Sequence, residues 1–361
     1  MENCSVVDLF CGVGALTHGF VLEGLRVVAG YDIDPSCQYA YETNNQGARF
    51  INKKIEDTRA EEVSALYPEG HIMVLVGCAP CQPYSTYTKK QEDKGEKWKL
   101  LPHFAELICQ VDPEIVSMEN VPELVTFRKG TIYTAFIDKL KAHGYHVTSY
   151  PEVYCPDYGI PQVRTRLVLF ASKYGEVEII EKTHSLAQYK TVWQMIGHLE
   201  AIKAGQTSTT DPLHKASGLS ELNLRRIRAS IPGGTWRDWD KELVAKCHLK
   251  KTGEHYSSVY GRLKWHEPSP TITTQCHGFG NGRFGHPEQD RAISLREAAL
   301  LQTFPENYQF VPPNAPHYFS LIGRFIGNAV PVDLGRVIAK SIKRHLEAYL
   351  DQSGASQPCH P

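Results

Sequence analysis

Cys81 is the residue of this sequence best placed to act as a nucleophile. It lies in the segment GCAPCQPYS (77–85), which follows a predicted strand at 71–76. A cysteine thiolate is a strong nucleophile, and the two prolines of the segment, Pro80 and Pro83, stiffen it and fix where Cys81 points. The pattern therefore predicts a nucleophilic thiolate at the end of a strand.

Two other roles stay open for this segment on the residues alone. One is a buried structural cysteine, and the other is a redox or metal-binding role for Cys78-x-x-Cys81. A zinc site needs about four ligands, and the sequence has no second pair with matching spacing, so we expect no metal site. A redox pair predicts disulfide formation with a thioredoxin-like potential, which a thiol titration would test.

A carboxyl group follows another strand of the same predicted sheet. Glu119 comes directly after a predicted strand at 114–118. Because parallel strands end at one edge of a sheet, we expect Glu119 at the same edge as the cysteine segment. A carboxyl group in this position is either a helix cap or a general acid.

A glycine-containing turn between the first strand and the first helix suits a nucleoside ligand. The segment DLFCGVG (8–14) lies where the strand passes to the helix, and glycines there let a ligand approach the backbone. Asp32 ends the second strand and can accept hydrogen bonds from two ribose hydroxyls. Thr17 stands where a dinucleotide fingerprint has its third glycine, so a nucleoside without a pyrophosphate is favoured over NAD. The alternative is a turn that binds nothing.

The elements that position these residues form an alternating pattern. Strands are predicted at 5–10, 27–31, 71–77, 114–118, 146–153 and 167–171, separated by helical stretches, which indicates βαβ units and a parallel sheet covered on both faces. Residues 172–305 lack a clear period and contain many turn signals, which predicts a second, irregular domain. Apolar residues spaced over 334–346 predict an amphipathic helix that packs back on the sheet.

The composition is that of a globular protein with a substantial core. The 361 residues are 42% hydrophobic and 22% charged. No run of about eighteen apolar residues and no basic leader occur, so we expect an intracellular protein that is neither secreted nor membrane-spanning. The ten cysteines show no paired spacing, and free thiols in a reducing compartment are expected.

Positive charge is concentrated in one part of the chain. The formal net charge of −1 does not favour nucleic-acid binding. Between 215 and 264, however, eleven Lys and Arg residues stand against five Asp and Glu residues, a local excess of six. Such a segment is either a solvated charged surface or a phosphate-binding one.

Five segments in a fixed order carry the strongest signal. They are DLFCGVG (8–14), PCQP (80–83), ENV (119–121), QVRTR (162–166) and GNAVP (327–331). In these segments the sequence resembles the DNA cytosine-5 methyltransferases, of the bacterial restriction-modification or orphan type. The resemblance covers nearly the whole chain, and only residues 172–260 lack a segment typical of the whole family.

The resemblance implies a fold and an activity. The fold class is α/β, a doubly wound, Rossmann-like sheet of S-adenosylmethionine-dependent methyltransferases with a second, smaller and irregular target-recognition domain. The catalytic, cofactor-binding domain is expected at 1–171 and 306–361, and target recognition at 172–305. The implied activity is transfer of the methyl group of S-adenosyl-L-methionine to carbon 5 of a cytosine flipped out of a specific duplex sequence.

The resemblance also implies catalytic roles. The cysteine matching Cys81 adds to carbon 6 of the base, and the glutamate matching Glu119 holds ring N3 and the exocyclic amine. For that role the acid should be protonated or share a proton with N3, which a closed, poorly hydrated pocket favours. Arg166 matches the arginine that contacts the base, with Arg164 and Gln162 in support.

The remaining candidate site residues bind cofactor or DNA. Cofactor binding is expected at Asp8, Phe10, Gly12, Gly14, Asp32, Ile33, Ile55, Pro80, Leu100, Asn328 and Val330. DNA contacts are expected at Gln82, Ser85, Gln162, Arg237, Lys250, Lys251, Arg262 and Thr271. Lysines are expected on phosphates and Arg237 nearer the bases. Residues 231–238 form the expected recognition loop, although a tryptophan pair such as Trp236 and Trp239 is more often found in a core.

Two positions depart from the family's pattern. Ala15 stands where many members have another glycine, which is a mild change. Lys54 stands where the family often has an acid that meets the adenine amine, so that contact is in doubt. Asp57 is the candidate substitute, while the backbone at Ile55 can still serve the adenine.

The expected partner is double-stranded DNA, bound by a monomer in the bacterial cytoplasm and, when bound, at the nucleoid. A restriction endonuclease acting on the same sequence is a candidate partner. Two alternatives stay open: a transfer-RNA cytosine-5 methyltransferase with the same core, and a catalytically silent nucleic-acid binder. The presence of Cys81, Glu119 and Arg166 argues against the silent protein, and methylation of duplex DNA against transfer RNA would test the other.

Overall fold

The structure is a computed structural model that describes residues 3–80 and 96–354, except for the side chains at 96, 97, 353 and 354. The described residues divide into two compact units. The first unit spans 1–154, 165–182 and 332–361, and the second spans 155–164 and 183–331. These divisions differ from the expected boundaries at 171 and 305, and target recognition by the second unit stays a prediction.

The strands and helices of the described residues follow one another along the chain. The strands are β1 (Cys4–Leu9), β2 (Arg26–Asp32), β3 (Arg49–Asn52), β4 (Ile72–Gly77), β5 (Ile115–Asn120), β6 (His146–Tyr154), β7 (Gln162–Val163), β8 (Thr165–Ser172) and β9 (Ser269–Pro270). The helices are α1 (Ala15–Leu22), α2 (Gln38–Asn44), α3 (Ala60–Ser64), α4 (Leu100–Val111), α5 (Thr131–Ala142), α6 (Val192–Ile196), α7 (Glu221–Ala229), α8 (Leu295–Leu301), α9 (Phe319–Asn328) and α10 (Val332–Gly354).

The first unit contains a seven-stranded sheet in the order β3-β2-β1-β4-β5-β8-β6. The strands from β3 to β5 are parallel, and every residue of β1 and of β5 is buried. Continuous burial is typical of a parallel strand covered on both faces, and it explains why these strands read as apolar runs. The predicted α/β sheet is therefore confirmed.

The far side of the sheet differs from the parallel arrangement expected from the sequence. β8 pairs antiparallel with both β5 and β6. Only residues 155–164 connect β6 to β8, and they contain no helix long enough to carry the chain across the sheet. A connection of this length returns the chain beside the strand it has just left, so the pair is antiparallel.

The predicted helices that cover the sheet are present, with boundaries moved by a few residues. α4 ends at Val111, because Asp112 adopts the left-handed conformation (φ 56°) and Pro113 follows. The amphipathic helix expected at 334–346 is the middle of α10, which packs on α1. Gly19 allows this contact, since a Cβ there would lie 2.6 Å from the backbone nitrogen of Arg336.

The second unit is built from short elements, as its lack of period predicts. β7 and β9 form a two-residue parallel ladder, and α6 has only five residues. Trp236 and Trp239 pack with Ile227, Leu243 and Phe279 in a small core, which confirms that this tryptophan pair is internal. No helix of the described ranges is long and apolar enough to cross a membrane.

Candidate active site

The glycine turn after β1 is held by backbone contacts that leave space above it. The amide of Cys11 donates to the carbonyl of Tyr31, and Gly14 caps α1 in the left-handed conformation (φ 85°). A Cβ at Gly14 would collide with Tyr41, whereas a Cβ at Gly12 would meet nothing within 4 Å. The turn therefore requires glycine at one position for packing and leaves open space at the other.

Asp32 binds this turn to the end of β2. Its Oδ2 accepts from the amide of Gly12 at 2.8 Å, and its Oδ1 accepts from the amide of Asp34 at 2.9 Å. Each carboxylate oxygen retains a further lone pair, so these bonds are compatible with ribose hydroxyls. Burial raises the pKa of Asp32, and the backbone hydrogen bonds oppose that rise.

Asp8 is a buried carboxyl group with one unused oxygen. Its Oδ2 accepts from Thr17 Oγ1 at 2.6 Å, while Oδ1 meets no hydrogen-bond donor among the described residues. Burial raises the pKa of Asp8 to about 7, and the bond from Thr17 partly opposes this. An unpaired polar atom in this position suits a donor supplied by a ligand.

The surroundings of the turn fit a nucleoside cofactor. Ile33, directly after Asp32, is 61% exposed, and an exposed apolar side chain at a sheet edge suits contact with a planar base. Ile55 is buried at the start of a 3₁₀ turn, whereas Lys54 and Asp57 are exposed on either side of it. The groups around the turn are thus an open glycine, two carboxylates and an exposed apolar side chain, a combination that suits an adenosine moiety.

Glu119 and Arg166 meet at the carboxyl edge of the same sheet. Nε of Arg166 lies 3.0 Å from Oε1 of Glu119, whose side chain is 3% exposed. Glu119 is the fifth residue of β5 and Arg166 is the second of the antiparallel β8, so the register brings both to this edge. Oε1 nevertheless accepts no hydrogen bond within the described ranges. The pair holds a buried carboxylate that still has a free acceptor.

The end of β4 is joined to the end of β5 by two side-chain contacts that sequence reasoning missed. Cys78 Sγ donates to Oε2 of Glu119 at 2.7 Å, and Asn120 Nδ2 donates to the carbonyl of Ala79 at 3.1 Å. The available signal was the parallel register, since adjacent strands that end together place the following residues side by side.

Three predicted site residues lie outside the described residues. They are Cys81, Gln82 and Ser85. Cys81 directly follows Pro80 in the sequence, so the described chain ends one residue before the predicted nucleophile. Its role stays a prediction.

Gln162 and Arg164 belong to an internal network of the second unit. Gln162 is fully buried; its Nε2 donates to Gln302 Oε1 at 2.6 Å, and its Oε1 accepts from Arg164 Nη1 and from the amide of Ile272. The DNA contact predicted for Gln162 is not supported, because its polar atoms are engaged inside the protein. Arg164 is also buried, and its supporting role in catalysis stays a prediction.

Arg262 is likewise internal, which corrects its predicted role as a DNA contact. Its side chain is 5% exposed and donates to four backbone carbonyl groups and to Asp290 Oδ1 at 2.5 Å. These bonds use Nε, both N–H groups of Nη1 and one of Nη2, so the guanidinium is directed into the protein rather than toward a phosphate or a base. Arg262 therefore organises the loops of this unit.

The other predicted DNA contacts remain accessible. Arg237, Lys250 and Lys251 are exposed, and Thr271 is half-buried with its hydroxyl donating to the carbonyl of Val163. Arg237 lies 5.3 Å from the ring centre of Trp236 and donates to the carbonyl of Glu254 at 2.6 Å. This anchors the arginine on the small aromatic core while leaving it at the surface.

The remaining cofactor candidates divide between the two units. Phe10 is half-buried beside the glycine turn with φ 61°, Pro80 is half-buried, and Leu100 begins α4. Asn328 ends α9 and is exposed, while Val330 is buried. These last two belong to the second unit, and their role in cofactor binding stays a prediction.

Comparison with known proteins gives one consistent result. The family model described as C-5 cytosine-specific DNA methylase matches residues 4–344. Type II methylase M.HgiDII of Herpetosiphon aurantiacus is 59% identical over 343 residues, which cover 95% of this chain and 96% of that protein. Type II methyltransferase M.Eco47II of Escherichia coli is 26% identical, over 95% of this chain and 79% of that protein.

Solved structures show the same fold at low identity. A structure solved as that of a prophage-encoded DNA modification methyltransferase of Escherichia coli has a TM-score of 0.72 at 20% identity, over 95% of this chain and 99% of that one. The Dnmt2 methyltransferase of S. pombe has a TM-score of 0.62 at 16% identity, over 96% and 99% of the two chains.

The α/β fold of the chain is shared with solved methyltransferases. The chain belongs to the C-5 cytosine-specific DNA methylase family, as its sequence predicts. It is a DNA (cytosine-5)-methyltransferase related to the methylases of bacterial restriction-modification systems. The silent binder and the transfer-RNA enzyme are correspondingly less favoured.

Proposed function

We propose that this enzyme methylates carbon 5 of a cytosine flipped out of duplex DNA, through a covalent adduct between Cys81 and carbon 6 of the base. The observation that carries the proposal is the buried Glu119–Arg166 pair, which lies at the sheet edge where the cysteine segment begins. Both groups suit the edge of a pyrimidine, and neither can reach a base inside a stacked duplex.

The proposed chemistry balances without a metal ion. The Cys81 thiolate would add to carbon 6, and the electron pair gained by carbon 5 would attack the sulfonium methyl group of the donor, whose C–S bond breaks as the thioether leaves. Loss of the carbon-5 proton to water would then break the bond between Cys81 and carbon 6, which releases the thiolate and restores the aromatic ring. Among the described residues, no group of three or more His, Cys, Asp or Glu side chains is placed to hold a metal ion.

Glu119 and Arg166 hold the base while charge enters the ring. Oε1 of Glu119 accepts no hydrogen bond from the described residues, so it is available to N3 or to the exocyclic amine of cytosine. A proton shared with N3 neutralises the negative charge that arrives on addition of the thiolate. Arg166 lies 3.0 Å from the same oxygen and can donate its remaining N–H groups to the carbonyl O2.

The proposed methyl donor is S-adenosyl-L-methionine, which supplies an electrophilic sulfonium methyl group. Asp32 and the open turn at Gly12 would hold its ribose, and Ile33 would lie against its adenine. Lys54 stands where the family often has an acid, so we assign the adenine edge to the backbone at Ile55 and to Asp57. Asp8 would orient the turn through Thr17.

We propose that residues 172–305 read the target sequence. Several basic residues of this segment form ion pairs within the protein. Arg225 pairs with Glu242, Arg228 with Asp290 and Lys264 with Glu267. No ion pair of the described chain involves Lys250 or Lys251. These exposed lysines are available to phosphates, and Arg237 is available to a base edge.

The expected setting is the bacterial cytoplasm, where a monomer acts on chromosomal DNA. A restriction endonuclease that cuts the same sequence is the expected functional partner. The support for both is the 59% identity to a type II methylase.

Trapping on a fluorinated substrate tests the covalent step. Duplex DNA with 5-fluorocytosine at the target should form a stable adduct with the wild-type enzyme, because fluorine cannot leave as the proton does. Cys81→Ala should form none and transfer no methyl group, yet should bind DNA, since the contacts proposed for affinity lie elsewhere. Bisulfite sequencing identifies the target beforehand.

Cys109→Ala is the matched control, because Cys109 is a free thiol on α4 away from the sheet edge. It should trap and methylate like the wild type. Trapping that persists in Cys81→Ala would remove Cys81 as the nucleophile. Methylation of transfer RNA in preference to duplex DNA in the same assay would overturn the proposed substrate.

A further inference from the structure

Cys78 lies in direct contact with the carboxyl group proposed to hold the base. Its Sγ donates to Oε2 of Glu119 at 2.7 Å. Cys78 is half-buried and Glu119 is buried, so this contact is largely removed from water. A hydrogen bond to a buried carboxylate is stronger than the same bond at a surface.

The contact follows from the register of the sheet. Gly77 of β4 pairs in parallel with Met118 of β5, so the next residues, Cys78 and Glu119, leave the paired strands together. The amide of Cys78 donates to the carbonyl of Leu9 at 3.3 Å, which fixes the backbone from the β1 side. The thiol is therefore aimed by three adjacent strands.

A second bond ties the same two chain segments. Asn120 Nδ2 donates to the carbonyl of Ala79 at 3.1 Å, and Asn120 is buried. Its Oδ1 also accepts from the amide of Val121, which fixes the amide orientation. The segment that leads to Cys81 is thus attached to β5 by two side chains, that of Cys78 and that of Asn120.

Glu119 is consequently held from two sides. Arg166 on β8 lies at Oε1, and the Cys78 thiol binds Oε2. The two oxygens of Glu119 differ in their hydrogen bonds. Oε2 accepts one from the Cys78 thiol, whereas Oε1, beside Arg166, accepts none from the described residues. The thiol thereby fixes the rotation of the carboxylate and directs Oε1 toward the proposed position of the base.

We propose that Cys78 is a positioning residue for methyl transfer: its thiol orients the carboxylate of Glu119 for contact with the base. This rests on the role proposed above for Glu119. Loss of the thiol should leave the carboxylate free to rotate, so methyl transfer should fall while DNA affinity is kept. Rescue by a variant that retains a donor then distinguishes positioning from a purely structural role.

Two variants at Cys78 and one control at Cys109 separate the possibilities. Cys78→Ala removes the donor, Cys78→Ser retains a donor of similar size, and Cys109→Ala removes a half-buried thiol away from the site. We expect single-turnover methyl transfer to fall about tenfold in Cys78→Ala, the usual scale for one hydrogen bond to a charged group, and to stay near wild type in Cys78→Ser and Cys109→Ala. DNA affinity should change little in all three.

Coupling between Cys78 and Glu119 is the decisive readout, because a purely structural loss at Cys78 would simply add to the loss at Glu119. In a Glu119→Gln background, Cys78→Ala should have little further effect, because the carboxylate it orients is gone.

Three results would overturn the proposal. They are unchanged single-turnover methyl transfer in Cys78→Ala, a Cys78→Ser enzyme as impaired as Cys78→Ala, and a loss from Cys78→Ala in the Glu119→Gln background as large as in the wild type. If Cys78→Ala fails to fold, a loss of about tenfold in Cys78→Ser overturns it instead. Full turnover in Glu119→Gln would contradict the role of Glu119, and hence the proposed function, before Cys78 is tested at all.

Discussion

In the first unit Glu119 meets Arg166 across a single 3.0 Å contact, whereas in the second unit Glu297 meets Arg291 through two hydrogen bonds of 2.7 Å. Both carboxyl groups are buried, but their hydrogen bonds are completed differently. Glu297 also accepts from the amide of Ser294, while Oε1 of Glu119 accepts no hydrogen bond from the described chain.

The number of hydrogen bonds at each carboxylate distinguishes a buried ion pair that stabilises the fold from one that can still bind a ligand. Arg291 is fully buried, and its Nε donates to the carbonyl of Ile202 and to Gln289, so it joins distant parts of an irregular unit. A saturated pair of this kind has nothing to offer a substrate. The unsaturated pair sits instead at the carboxyl edge of a sheet, where ligands bind.

The largest expected effect concerns the saturated pair. Arg291→Met should lower the free energy of unfolding by about 3–5 kcal/mol, because it leaves Glu297 buried and uncompensated. Urea denaturation measures this loss. Arg291→Met combined with Glu297→Leu should recover part of it, and Arg225→Met, which breaks the exposed pair with Glu242, should cost less than about 1 kcal/mol. Equal losses of unfolding free energy in Arg291→Met and Arg225→Met would contradict a special role for the buried pair.

A substitution in the Glu119–Arg166 pair should lower catalysis rather than stability. Glu119→Gln should lower single-turnover methyl transfer by about 100-fold, the scale of acid–base catalysis, and change the urea midpoint little. Rapid-quench methylation and denaturation on the same preparation measure both. A rate equal to wild type would mean that another group protonates N3, and a large loss of stability would place this pair with Arg291–Glu297.

Surface and buried arginines of the second unit sharpen the comparison further. Arg237→Ala should cost about 1–3 kcal/mol in binding and relax preference at one base position, whereas Lys250→Ala should weaken all sequences alike and reduce the salt slope by about 1. Binding titrations over several salt concentrations and target variants measure this. Arg262→Met should instead destabilise the protein, since its guanidinium is internal. Identical profiles for Arg237→Ala and Lys250→Ala would contradict base reading by Arg237.

Asp8 gives an effect on stability that depends on pH. Burial raises its pKa to about 7 in the folded protein, so the folded state binds this proton more tightly than the unfolded state does. Its contribution to stability is therefore complete below about pH 4 and is lost as pH rises through 7. Asp8→Asn should remove that loss, so its stability relative to wild type should increase between pH 4 and pH 7. A constant difference across that range in thermal melts would contradict the assignment.

Much of the first unit could be predicted from the sequence, because its signals are local. β1, β4 and β5 are rich in apolar residues because most of their positions are buried, and the residues at their carboxyl ends share one edge of the sheet. This places Glu119 at the edge that carries the glycine turn. β3 was missed because it is a four-residue edge strand with only two buried or half-buried positions.

The antiparallel side of the sheet and the uses of the buried polar residues could not be predicted in this way. A run such as β8 reads alike in either direction, and only the short connection from β6 decides its orientation. The basic excess over 215–264 suggested a surface, yet Arg262 is internal and Arg225 is paired with Glu242. A sequence gives the number of charges but not their partners.

The sequence by itself determined the α/β alternation, the family and the order of the site segments, since these depend on apolar periodicity and on residues adjacent in the chain. Only the tertiary structure decided that Cys78 meets Glu119, that Arg166 arrives from an antiparallel strand, and that Gln162 is internal. Cys78 and Glu119 are 41 positions apart in the sequence, and Glu119 and Arg166 are 47 apart. Gln162 and its partner Gln302 are 140 apart. Distances of that kind are set by strand register and packing, which no local pattern encodes.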